Sequence, residues 1–105
     1  MSDTAKLEAR LLTASELKLV AVTRSPEIER QSAAELKAAA RRLREAHDRA
    51  KAIGVRQARE MRGKADPHRA KPAKDNLGTV AKAQALGDAL QRVEAELRRR
   101  EAAPG

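Results

Sequence analysis

The sequence predicts an all-α fold: an antiparallel hairpin of two long helices, at about 33–62 and 77–100, with one or two short N-terminal helices and a basic linker between the long ones. Three observations carry this. Alanine, the best helix former, supplies 23 of 105 residues, and there is no Phe, Tyr or Trp. Apolar side chains recur in steps of three and four, with no two-residue alternation. Helix-start chemistry precedes each periodic stretch after the first.

Leu7, Leu11 and Leu12 form the first apolar set and suit a short helix without a clear cap. Thr13-Ala14-Ser15-Glu16 is a capping box, in which hydroxyl and carboxylate each satisfy an amide donor at a helix start. A helix from about 15 to 23 follows and places Leu17, Val20 and Ala21 on one side. Pro26 disfavours helical geometry at Ser25, so Ser25 is expected to cap a short turn over 26–31, with Glu27 and Glu29 near its positive end.

A second capping box, Ser32-Ala33-Ala34-Glu35, opens the first long helix. Its seam is Leu36, Ala39, Leu43, Ala46, Ala50 and Ile53, and Gly63 is the natural stop. Gly54 in its interior points to a close helix approach or a slight bend. Residues 64–75 hold two prolines and a cluster of bases, the composition of a flexible basic linker. Asp75 or Thr79 is expected to cap the second long helix, whose stripe is Ala83, Leu86, Leu90, Val93 and Leu97; residues 101–105 form a frayed tail. The two stripes match in length, so pairing them in one chain is the economical arrangement, with residues 15–31 as a third, shorter layer. A dimer that pairs the same seams between chains is the competing arrangement.

The chain is one small domain with a limited core: 11 Leu, 5 Val, 2 Ile and 2 Met are all its large aliphatic side chains. The absence of cysteine removes disulfides, thiolate metal sites and thiol redox chemistry. His47, at the seam's edge, and His68, in the linker, lack the partners of a metal site, so no metal or cofactor is expected. No phosphate loop, nucleophile set or paired carboxylates emerge from spacing, so neither an enzyme nor a small-molecule substrate is expected. Charges at Lys6, Glu8 and Arg10 leave no apolar leader, and the longest apolar run, Leu19 to Val22, is far too short for a bilayer. A cytoplasmic protein with no membrane partner is the resulting expectation.

Net charge is +8 and is unevenly placed. Residues 1–31 balance five bases with five acids, residues 32–75 carry thirteen against six, and residues 76–105 carry five against four. A central excess of this kind suits a polyanion. On a helical wheel Arg42, Arg49 and Arg56 form a near-axial row about 10 Å apart, beside a second face shared by Arg41 and Arg59. Arg62, Lys64, Arg69, Lys71 and Lys74 continue the charge. The competing reading of 36–60 is an ion-pair-laced solvent face, through Arg41–Glu45, Glu45–Arg49, Arg44–Asp48 and Arg56–Glu60.

Without aromatic rings there is no platform for base stacking, so contacts to phosphates dominate any binding and sequence preference is weak. The leading expectation is a basic helical protein that binds structured RNA or a ribonucleoprotein such as the ribosome, ahead of DNA. The alternative is an adaptor that dimerises or docks on an acidic protein, with Leu86, Leu90, Val93 and Leu97 as anchors beside Leu36, Leu43 and Ile53.

Overall fold

A computed structural model describes residues 3–63 and 73–102. All secondary structure among the described residues is helical: α1 (Asp3–Leu11), α2 (Ala14–Ala21), α3 (Glu27–Arg30), α4 (Ala33–Gly63) and α5 (Ala73–Ala102). The pairing of α4 with α5 dominates the tertiary contacts.

Local chemistry sets the helix starts. At Thr13 the amide donates to Glu16 Oε1 at 2.9 Å while the Glu16 amide donates to Thr13 Oγ1 at 3.2 Å. Ser32 and Glu35 repeat the exchange, at 2.9 and 3.1 Å, and so start α4. Both capping boxes read from the sequence are therefore formed. The expected Ser25 cap is not. Pro26 takes the capping position of α3 with no side-chain hydrogen bond, and Ser25 Oγ donates to Glu29 Oε1 at 3.2 Å. The Ile28 amide already has a backbone acceptor in Arg24 O at 3.0 Å, so that helix start does not need the hydroxyl.

α4 and α5 run antiparallel. Arg44 pairs with Glu94, His47 lies against Gly87, and Gly54 faces Thr79, so the paired positions rise on one helix as they fall on the other. Leu36, Leu43, Leu86, Ala89 and Val93 have no exposed surface, and Ala39, Ala40, Ala46 and Ala50 complete the buried seam. Alanines on α4 let the backbones approach closely, and the large side chains of α5 fill the space.

Two elements depart from expectation. Ile53 leaves the seam and is 41% exposed, and Gly54 takes the contact with α5. A straight helix turns 3.6 residues per turn, so a seam followed at 3.5 residues drifts by about 20° per heptad, and by Ala50 the next inward position is four residues on. α5 begins at Ala73, ahead of the expected start near 77, which makes 73–75 helical where the sequence reading ended the linker. Neither proline nor glycine stands between Ala73 and Leu77 to stop it, and Pro72 is the nearest residue that disfavours extension backwards. The rest of the proposed linker, 64–72, lies outside the described residues, as do 103–105 of the expected tail; its first two residues, Glu101 and Ala102, continue α5 instead of fraying.

The N-terminal segment forms the third layer and advances along α5 in chain order. Leu11 lies against Gly78, Glu16 pairs with Lys82 at 3.1 Å, Thr23 receives Arg92, and the carbonyls of Ile28 and Glu29 receive Arg100. Leu12, Val20 and Ile28 are buried beneath it and join the hairpin core. Gln31 fastens the layer to itself, donating to Val22 O at 2.7 Å.

Candidate nucleic-acid interface

The geometry sorts the arginines into two groups. The first is consumed inside the molecule. Arg24 grips Glu8 with two parallel hydrogen bonds, 2.8 and 2.9 Å, the fork geometry that joins guanidinium to carboxylate most strongly. This hydrogen bond, with the nearby charges of Arg24 and Arg92, holds the Glu8 carboxyl below its usual range against the effect of burial. Arg92 donates to Thr23 Oγ1, and burial, with the Arg24 charge, lowers its own pKa. Arg99 and Arg100 both donate to Glu96, which is held down at about 2 from the usual 4.5 by those hydrogen bonds and charges. Arg44 pairs with Glu94 at 3.0 Å.

The second group is Arg41, Arg42, Arg49, Arg56 and Arg59, all exposed on α4. Among the described residues none of the five is engaged in an ion pair or a hydrogen bond. The four same-helix pairs that would have made this a self-neutralised solvent face are not formed. Arg44 goes instead to α5, and Asp48 lies 3.4 Å from His47 Nδ1. Arg42, Arg49 and Arg56 stand seven residues apart on one side of the helix, a spacing of about 10 Å. Arg56 and Arg59, with Asp48, Lys51, Ala52 and Val55, also line an open recess on that outer surface.

The other predicted basic residues fall elsewhere. Arg62 lies in the last turn of α4 and Lys74 in the first turn of α5; Lys64, Arg69 and Lys71, like the side chains of Arg62 and Lys74, are outside the described residues. The proposed docking anchors divide. Leu36, Leu43, Leu86 and Val93 are wholly buried in the chain's own core, Leu90 and Leu97 are half-buried against it, and Ile53 is exposed.

Sequence reasoning missed the structural arginines. Arg92 and Arg100 meet partners 69 to 72 residues away, and no local pattern signals such a pairing. The one available hint is the presence of Glu8 and Glu96 at inward positions of their helices, since a buried carboxylate needs a cationic partner.

His47 is half-buried between the long helices, its ring against Gly87. No group of three or more His, Asp or Glu among the described residues could hold a metal ion, and no helix among them is long and apolar enough to cross a membrane. No protein-family model matches this chain, and no curated protein or solved structure does so either.

Proposed function

We propose that this protein binds structured RNA or a ribonucleoprotein, ahead of DNA as the alternative, through the phosphate backbone and with weak sequence preference, and that it does so without a catalytic step. The observation that carries the reading is the row of exposed guanidiniums at Arg42, Arg49 and Arg56, with Arg59 on the neighbouring face, none of which is paired with a carboxylate among the described residues. A guanidinium free of an internal partner is available to phosphate, which it contacts in the same forked geometry it uses with carboxylate. The surplus cations of the central tract, Arg62, Lys64, Arg69, Lys71 and Lys74, continue the same charge along the sequence. The absence of aromatic residues assigns the affinity to charge rather than to stacking.

The adaptor reading has less support, because Leu86 and Val93 would have to leave the core to meet a partner.

The test is a polarisation titration of a labelled RNA hairpin at rising salt. Four phosphate contacts predict a slope of about −4 in log affinity against log salt, a loss on the order of 100-fold between about 50 and 200 mM. Replacing Arg42, Arg49, Arg56 and Arg59 together with Gln removes most of that slope. Affinity that ignores salt, or survives the quadruple substitution unchanged, overturns the proposal. Absorbance near 260 nm in the purified protein is a quick companion measurement, since the chain has no Trp or Tyr.

A further inference from the structure

We infer that Arg42, Arg49 and Arg56 form a rigid ruler for the preset phosphate spacing of a nucleic-acid duplex, so that their positions, beyond their summed charge, set the affinity. The inference rests on the nucleic-acid reading above and goes further by naming the form of nucleic acid and the residues that select it.

Stiffness is the first ground. The row lies on a 31-residue helix that α5 supports from behind at the Arg44–Glu94, His47–Gly87 and Gly54–Thr79 contacts. These contacts bracket Arg49, so the intervals within the row are held by helix geometry and packing together.

The second ground is the pattern of charge around the row. Glu45, Asp48 and Glu60 are exposed on the same helix and none of them is neutralised by the arginines of the row. A phosphate gains energy beside a guanidinium and loses it beside one of these carboxylates. An alternating face of this kind rewards anions in step with the arginines and penalises those out of step. A diffuse positive surface has no such selectivity.

The third ground concerns the partner. A duplex holds its phosphates at fixed intervals before binding, whereas a single strand must be ordered to match a rigid row, at a cost in entropy. Single-strand binders offset that cost by stacking bases on aromatic rings, and this chain has none.

A charge-conserving transplant tests the ruler. Ala52 is exposed three residues beyond Arg49, about 60° round the helix and about 4.5 Å along it. The double substitution Arg49→Ala with Ala52→Arg keeps both net charge and an exposed site while taking the cation out of the row. Binding is measured against an RNA duplex of about 20 base pairs, longer than the roughly 46 Å of α4, and against each of its separated strands, with far-UV circular dichroism confirming equal helicity of the variants.

On this inference Arg49→Ala weakens duplex binding roughly 5- to 10-fold at about 0.1 M salt, the transplant does not recover it, and the duplex binds at least about 10-fold more tightly than either strand. Wild-type affinity in the transplant, or equal affinity for duplex and strand, overturns the ruler and leaves the phosphate-binding proposal standing. Failure of every nucleic acid to bind overturns both.

Discussion

Arg92 donates from Nε and Nη2 to the single hydroxyl of Thr23, at 3.1 and 2.9 Å, and that hydroxyl donates in turn to Val20 O at 2.6 Å. The relay joins the middle of α5 to the end of α2. Thr23→Val keeps the volume, removes the acceptor and leaves a half-buried cation without it. A destabilisation of about 1–3 kcal/mol is expected. In thermal melts followed by circular dichroism, each kcal/mol should lower Tm by roughly 4–8 °C in a domain of this size.

The two groups of arginine should separate in the same experiment. Arg100 donates to Glu96 Oε2 at 2.8 Å and to Ile28 O at 3.2 Å, so it holds α3 against the end of α5. Arg100→Ala exposes unsatisfied acceptors and lowers Tm, whereas Arg49→Ala at an exposed, unpaired position stays within about 0.5 kcal/mol of the parent. Equal losses from the two would show that Arg49 has an internal role, contrary to its geometry.

Acid should weaken the N-terminal layer over a defined range. The carboxyl of Glu8, hydrogen-bonded to Arg24, and that of Glu96, hydrogen-bonded to Arg99 and Arg100, both have pKa values below 4.5, that of Glu96 at about 2. A carboxylate whose folded pKa is depressed contributes stability that is full above the unfolded value and lost as pH falls through the folded one. Stability is therefore flat above about pH 5 and declines from about pH 4.5 towards 2. Glu96→Gln should be less stable at neutral pH and show a shallower decline in acid denaturation.

The glycines of the hairpin should respond differently to the same substitution. A Cβ at Gly54 would meet Thr79 Cγ2 at 3.5 Å, an ordinary contact, so Gly54→Ala gains the helical preference of alanine, about 1 kcal/mol. At Gly87 the added carbon would lie 3.2 Å from His47 Cδ2 and 3.3 Å from Nε2, and the ring has to give way. Gly87→Ala should gain less or lose stability. Combining it with His47→Ala should recover the difference, which a double-mutant cycle of melting measurements reads directly.

Leu86 has no exposed surface, whereas Leu77 on the same helix is 63% exposed. Leu86→Ala should cost about 2–5 kcal/mol, a large part of the stability of so small a domain, and reduce helicity at physiological temperature. Leu77→Ala should leave the melting curve nearly unchanged, within about 0.5 kcal/mol.

Much of the hairpin was legible in the sequence because helix starts and helix faces are short-range properties. Thr13 with Glu16, and Ser32 with Glu35, are three residues apart, and their reciprocal hydrogen bonds form as the spacing predicts. Ile53 was misplaced because a seam read at constant spacing ignores the slow rotation of a straight helix, which brings Gly54 inward. Ser25 was misassigned because its hydroxyl competes with a backbone acceptor, Arg24 O, that only the folded turn brings into place. The candidate interface was half legible. Wheel geometry located the row of Arg42, Arg49 and Arg56, but spacing alone left open whether Glu45, Asp48 and Glu60 neutralise it.

The composition and local order of residues were enough to specify an all-helical chain with these starts, these faces and a central excess of positive charge, because propensity, capping and amphipathic periodicity act within a few residues. Which arginines are spent on the protein's own carboxylates and carbonyls, and which stay exposed and unpaired among the described residues, was decided by packing. Arg24, Arg92 and Arg100 find their acceptors across 16 to 72 residues of chain, and such pairings exist only once α5 and the N-terminal layer are side by side.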